Sequence, residues 1–352
     1  MEIRAERPLL TLAIPTFNRL SFLRLLIETA MHQLSSIDML GDRLELLVCN
    51  NASTDGTADY LNKLANSKGV RVIHHGSNCG AEANFVSCCE AAEGKYVWIM
   101  GDDDVPLEGA IQAVVECLER ESPDLLYLPA RWIFGDLGER AKSKIRTKDV
   151  SSVDSMGLAV RSTVFVTFVS SWVMNMDAYK SHVQPPRIGR YQGTSLVHLE
   201  WILTLLVEGR RLLCAEDEWI LARAAGSGEY AVFEAFSLNY NRIIDEKLST
   251  HAQLRDFLKR CMLLCFIPGL VWGVRQKKIG NFGDFDGEHV MSVLRAAYGN
   301  SVFLMLIVAP IVRFYLPIAW GFKSVARVMA KVWLFSHRGK RRPQAVVAAA
   351  GN

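Results

Sequence analysis

The sequence predicts an α/β fold built on a doubly wound, mostly parallel sheet. Two observations carry that expectation. Short apolar, β-prone runs alternate with segments of helical periodicity through the first 130 residues. Polar clusters rich in Asn and Asp follow those runs directly, where open α/β sheets place their ligand loops.

The first run, LLTLAI (residues 9–14), ends at Pro15 and suits a strand buried on both faces. Ser21 is placed to cap a helix in which Phe22, Leu25, Leu26, Thr29 and Ala30 recur at helical spacing. The unit repeats with ELLVC (45–49) and a helix marked by Ala58, Leu61, Leu64 and Ala65, opened by the Ser53, Thr54, Asp55 cluster. VRVIH (70–74), a helix across 83–92, YVWIM (96–100), a helix through Ala110, Val114 and Leu118, and DLLYL (124–128) complete the pattern. From about Trp132 the rhythm is lost. FGDLGERAKSKIRTKD reads as an exposed loop or edge hairpin, residues 164–173 are β-branched and aromatic, and 196–207 look helical. Beyond His251 the chain is helical and strongly apolar, with MLLCFIPGLVWGV and then VFLMLIVAPIVRFYLPIAWGF over 302–322. Three regions are therefore expected: 1–130 holding a ligand, 131–250 completing the site, and a helical tail from 251 to 352.

The 352 residues suffice for a large core without disulfides or structural metals, and 22% charged residues is an ordinary globular balance. A net charge of +3 is too small to argue for nucleic acid. The eight cysteines form no CxxC pair and meet no histidines at zinc spacing, which fits a reducing compartment. The start carries Glu2, Arg4, Glu6 and Arg7 and its apolar run breaks at Pro15, so a signal peptide is not expected and a cytoplasmic location is.

The strongest chemical signal is Asp102-Asp103-Asp104, directly after a buried strand and before Val105-Pro106. Three adjacent carboxylates repel one another, so a cation is their natural partner, and oxygen ligands select Mg²⁺ or Mn²⁺. An acidic helix N-terminus is the plainer explanation for one or two acids. PTFNR (15–19) and CNNASTDGT (49–57) offer side chains for a nucleobase edge, and Arg19 offers a cation for phosphate, although STDG is also simple turn chemistry. In Asn78-Cys-Gly80-(x3)-Asn84 the glycine permits close backbone approach.

In this order and spacing, PTFNR, NNASTDGT, NCGAEAN and GDDD resemble family 2 glycosyltransferases of the GT-A fold, over roughly residues 9–130. The resemblance implies an inverting transfer from a nucleoside-diphosphate sugar. It implies a donor-nucleotide site from Pro15, Thr16, Asn18, Arg19, Asn50, Asn78, Asn84, Asp102 and Asp103, with Thr16, Asn18 and Asn50 facing the base. Asp102 would face the ribose, and Asp104 with Asp102 would hold Mn²⁺ or Mg²⁺. Where the family usually has an aspartate, this chain has Asn50, whose amide can also donate to the bare N3 of cytosine, so CDP-, UDP- and dTDP-linked sugars all remain candidates. The layout is most similar to the O-antigen-building, abequosyltransferase-like subgroup.

Inversion needs a general base, which the family places at a helix start in the second half. Glu200 is the first candidate, His198 the second and Asp217 a third. Arg223 and the loop Gly226-Ser227-Gly228 are placed to close over a diphosphate. In the tail, Arg313, Pro310 and Pro317 interrupt 302–322, and Arg327, Lys331, Arg338 and Lys340-Arg341-Arg342 follow, so an interfacial helix on an anionic membrane is expected ahead of a spanning one. The acceptor would then be lipid-linked, for example on polyprenyl diphosphate, at the cytoplasmic face of a bacterial inner membrane. The cations Arg140, Lys142, Lys144, Arg146 and Lys148 could meet its phosphates, or simply form a solvated face. A non-catalytic nucleotide-binding membrane scaffold is the rival class, and an intact aspartate triplet argues against it. A dehydrogenase would need GxGxxG after the first strand, and none is there.

Overall fold

In the computed structural model, residues 7–35, 43–68, 70–133, 135, 137–223, 231–276 and 285–338 are described. The expected strand–helix units of the first half are present: β1 (Leu10–Thr16), α1 (Leu20–Ser35), β2 (Leu44–Asn50), α2 (Thr57–Lys68), β3 (Arg71–His74), α3 (Ala81–Ala91) and β4 (Tyr96–Ile99). They are followed by β5 (Val105–Pro106), α4 (Ala110–Glu121), β6 (Leu125–Tyr127) and β7 (Ala130–Ile133). All seven residues of β1 are buried, as its sequence requires. The strand runs through Pro15 rather than ending there. The ladder to β4 stops at Ala13, so the proline lacks its donor where no neighbouring strand asks for one.

The second half contributes β8 (Val150–Val153), α5 (Ser155–Ser162), β9 (Trp172–Asn175), α6 (Met176–His182), α7 (Leu199–Glu208), β10 (Leu212–Ala215) and β11 (Ile220–Arg223). Helices α8 (Tyr240–Lys247), α9 (Ala252–Cys261), α10 (Ile267–Arg275), α11 (Gly287–Tyr298), α12 (Ala309–Arg313) and α13 (Leu316–Arg338) follow. The aromatic stretch 164–173 forms two short 3₁₀ turns before β9. Of the two expectations for the charged stretch after Trp132, its described residues form a loop rather than a hairpin, with a 3₁₀ turn at Gly138–Lys142 and a bridge from Lys144 to Glu108.

The main sheet has eight strands in the order β3-β2-β1-β4-β9-β6-β10-β8, six of them parallel. The exceptions are β9, inserted antiparallel between β4 and β6, and β8 at the edge. A separate three-stranded sheet, β5-β11-β7, sits at the carboxyl end of β4. Strands from residues 131–250 thus complete the same sheet as those from 1–130. One face of the main sheet packs on α1 and α4, the other on α3, α5, α7 and the C-terminal helices.

Ala252–Arg275 is long and apolar enough to cross a membrane, yet 61% of its most apolar window is buried inside the protein. The run 302–322 is not one helix. It breaks at Phe314, which is extended; Pro317 has no N–H to give the Arg313 carbonyl four residues back, and its ring would clash with that carbonyl in a continuous helix.

Gly94, which leads into β4, shows how closely strand and loop approach. A Cβ there would stand 2.6 Å from the Thr11 backbone nitrogen. Gly94→Ala is expected to cost about 1–3 kcal/mol through forced backbone displacement, read as a lowered urea midpoint; an unchanged midpoint would show that the approach is loose.

Candidate active site

The turn after β4 holds the aspartates. Met100 N–H donates to the Ala13 carbonyl, extending the β1–β4 pairing by one step, and Asp104 N–H donates back to the Gly101 carbonyl at 3.0 Å. A Cβ on Gly101 would lie 3.1 Å from Asp104 Oδ2 and 3.3 Å from Asp103 Oδ1, so the glycine makes room for both carboxylates.

Asp102 accepts from Thr16 Oγ1 at 2.7 Å and from the Arg19 guanidinium at 3.0 Å, and Asp103 meets the same guanidinium at 3.3 Å. Asp104 accepts from Ser170 Oγ at 2.7 Å and from the Arg223 backbone N–H at 3.1 Å. Ser170 Oγ is itself fixed by the Gly101 N–H at 2.9 Å. The small sheet explains why Arg223 arrives: β11 pairs with β5, which begins at the residue after Asp104. Burial raises Asp102 to about 6 against the counteracting charge of Arg19. Burial and then the charge of Asp103 raise Asp104 to about 8. Both hydrogen-bond donors to Asp104 are neutral groups, a hydroxyl and a backbone N–H.

That unmet charge is what a divalent cation would satisfy, and the donors are hard oxygens of the kind Mg²⁺ and Mn²⁺ take. Among the described residues no group of three or more His, Cys, Asp or Glu could hold a metal. The turn therefore fits an ion held by one or two carboxylates that takes its other ligands from substrate phosphates and water, as Mg²⁺ commonly does.

The asparagines of the expected donor-nucleotide site brace the loops. Asn18, at φ 51°, accepts from Thr54 N–H at 2.7 Å, tying the first loop to the second. Asn50 donates to His74 Nδ1 at 3.0 Å and accepts from Ser53 N–H at 3.1 Å, while His74 Nε2 meets Asn62 Oδ1 at 3.1 Å. Asn78 accepts from Asn51 and from Gly80 N–H, both at 2.9 Å. Asn84 donates to the Cys49 carbonyl at 3.0 Å and, more weakly, to that of Thr16 at 3.4 Å. Pro15 lies within β1 opposite Cys49. Arg19 is committed to the aspartates rather than free for phosphate. Asn51, His74 and Ser170 were not picked out from the sequence. Asn51 sat inside a motif already noted, whereas Ser170 carries no local signal.

The expected bases Glu200 and His198 are both buried. Glu200 is 0% exposed, and its Oε1 accepts from Lys247 Nζ at 3.0 Å in a pair inside the α7–α8 packing. Lys247 also donates to Thr204 Oγ1 at 2.6 Å. His198 is buried, its Nε2 lies 2.9 Å from the Thr167 carbonyl, and burial lowers it to about 4. Its contact is with the segment that carries Ser170, three residues on. Asp217 is held by the Arg146 side chain at 2.7 and 2.9 Å and anchors a loop. Lys142 and Lys148 likewise pair with Glu139 and Glu116, so three of the five alternating cations are already matched on the protein. Arg223 lies over the Phe22 ring at 4.3 Å and donates to the Gly135 carbonyl, while its buried Nε has no hydrogen-bond partner among the described residues. The loop at Gly226, Ser227 and Gly228 and the Lys340-Arg341-Arg342 cluster lie outside the described residues.

Residues 11–182 match the family model for glycosyl transferase family 2. This segment is a family 2 glycosyltransferase domain. The transferase domain is 28% identical over 116 residues to abequosyltransferase RfbV of Salmonella typhimurium, a match spanning 32% of this chain and 34% of that protein. It is 30% identical over 98 residues to chondroitin synthase of Pasteurella multocida, covering 28% of this chain and 9% of the relative. The matched segment is thus about a third of the first relative's length and about a tenth of the second's. Residues 1–349 of S. aureus TarS share the fold with a TM-score of 0.57 at 13% identity, over 94% of this chain and 92% of that one. The mixed α/β architecture with its large, mostly parallel sheet is consistent with the GT-A fold.

Two outcomes test this geometry. Asp102 and Asp104 bind protons more tightly folded than unfolded, so the metal-free transferase should lose stability as pH rises from about 4 to about 8 and then level off. Melting in EDTA across that range should show the fall, and Asp104→Asn should flatten it; equal slopes in both proteins would refute the assignment. Lys247→Met should cost about 3–5 kcal/mol by leaving Glu200 charged and unpaired, and Glu200→Gln on that background should recover much of it, as chemical denaturation would show.

Proposed function

We propose that this protein is an inverting glycosyltransferase that moves a sugar from a nucleoside-diphosphate sugar to a lipid-linked glycan in the synthesis of a bacterial surface polysaccharide such as O-antigen. The observation that carries the reading is the desolvated carboxylate of Asp104, held by neutral donors at the point where strand order reverses between β1 and β4. The fold is also that of TarS 1–349, which has been solved in complex with UDP-GlcNAc (TM-score 0.50, 12% identity, 93% of this chain).

In this reading Asp104, with Asp102, would hold Mn²⁺ or Mg²⁺, and the ion would supply Lewis-acid support to the departing diphosphate. Asp102 would face the ribose, and Arg223, stacked on Phe22, would contribute positive charge toward the diphosphate. The braced Asn18, Asn50, Asn78 and Asn84 keep Thr16 and the loop backbones in place around the base. Asn50 is compatible with cytosine, uracil and thymine alike, since one amide hydrogen and one oxygen lone pair stay uncommitted.

The acceptor hydroxyl oxygen attacks the anomeric carbon, the bond from that carbon to the diphosphate oxygen breaks, and the nucleoside diphosphate leaves with the bonding pair. The hydroxyl proton passes to a base. His198 suits that role better than Glu200, because the Glu200 carboxylate is neutralised by Lys247 inside the core. With Nε2–H given to the Thr167 carbonyl, the lone pair of His198 is on Nδ1. The acceptor's lipid anchor would place the enzyme at the cytoplasmic face of the inner membrane.

Isothermal titration with CDP, UDP, dTDP and GDP, each with and without Mn²⁺, tests the donor site. One nucleotide should bind in a metal-dependent manner and lose that binding in Asp104→Ala; no binding by any of the four would reject the reading. Once a donor is known, His198→Gln should lower kcat by about 10²–10⁴-fold with donor affinity intact, and full activity in that variant would remove His198 from the reaction.

A further inference from the structure

We infer that the outward face of α13, with the residues leading into it, is the surface by which this protein lies flat on an anionic lipid bilayer. The inference deepens the reading above by assigning the membrane contact to particular side chains, and it stands on observations of its own.

The helix divides into three sectors. Ala319, Ala326 and Ala330 are buried, and Phe322 and Trp333 pack on the core, so one side is spent on the protein. A second side carries Ile318, Val325, Val328, Met329, Val332 and Phe335, all exposed, with Val332 at 65% and Phe335 at 79%. At 3.6 residues per turn these six span about 120° of the circumference. Lys323, Arg327 and Lys331 occupy the arc between the buried and apolar sectors, and Lys323 rests its ammonium 4.8 Å above the Trp272 ring. Phe314 and Tyr315, exposed at the break before α13, extend the apolar surface. Soluble monomers rarely leave a contiguous apolar surface of this extent uncovered.

Charge decides what covers it. Residues 289–352 contain nine Lys and Arg and no Asp or Glu, whereas the whole chain is only +3, so the preceding residues are net acidic. A second copy of the chain meeting this face would bring Arg327 and Lys331 of both copies together with no acid on either helix to pair them. An anionic bilayer offers both things the helix lacks: acyl chains for the apolar arc, and headgroup phosphates for the cations beside it. Spanning is excluded by the same wheel, because one sector is packed on the protein and another is cationic.

The test uses the full chain in vesicle flotation, with phosphatidylcholine vesicles doped with phosphatidylglycerol and with phosphatidylcholine alone. The wild type should float with the anionic vesicles only, and high salt should weaken it. The double variant Arg327→Glu/Lys331→Glu should weaken binding by about tenfold or more. The triple variant Val328→Ser/Val332→Ser/Phe335→Ser should abolish it, while both variants keep the wild-type nucleotide titration, which reports the fold and the donor site separately. The inference is overturned if the triple variant floats like the wild type, if the wild type ignores anionic vesicles, or if the triple change removes only a concentration-dependent dimer in sedimentation.

Discussion

Everything around the candidate site answers to one electrostatic constraint: three consecutive carboxylates must sit in a desolvated turn at the end of β4. Such a turn is unfavourable alone, and the fold gathers donors for it from four distant places. Thr16 comes from β1, Arg19 from the loop after it, Ser170 from the 3₁₀ turns before β9, and the Arg223 N–H from β11. These donors satisfy hydrogen bonds without cancelling the charge of Asp104. What remains is a preorganised deficit of positive charge, and in a binding site that deficit is the useful quantity.

Much of this was legible in the sequence because it depends on short-range rules. Short apolar, β-prone runs and period-3.6 patterns located β1 to β4 and their helices, and the aspartate triplet stood out by charge alone. The side-chain partners were not legible. Asn18 and Asn50 look like free recognition groups in a motif, yet each spends its amide on a neighbouring loop, a choice set by how α2 and β3 pack. Glu200 looks like a carboxylate at a helix start, and its fate is decided by Lys247, forty-seven positions later. Ser170 has no signal at all, since a serine between aromatic residues acquires meaning only once β9 runs beside β4.

The C-terminal helices extend the same lesson to apolar residues. Hydropathy marks Ala252–Arg275 and 302–322 alike, but burial separates them: the former is core, while exposure concentrates beyond Phe314. Composition told where apolar side chains were abundant, and only the helix wheel set against its neighbours told which of them face outward.

The antiparallel insertion of β9 has a consequence for how the molecule comes into being. Strands β1 to β4 are made first, but the neighbour that covers the open side of β4 arrives some seventy residues later, and the β6–β10 pair is completed later still. A nascent chain that has emerged only through its recognisable motifs therefore carries a bare sheet edge beside an acidic turn that still lacks Ser170 and Arg223. The part of the sequence easiest to recognise is for that reason not a part that can be cut out: its last strand and its charged turn are both finished by the half that carries no motif.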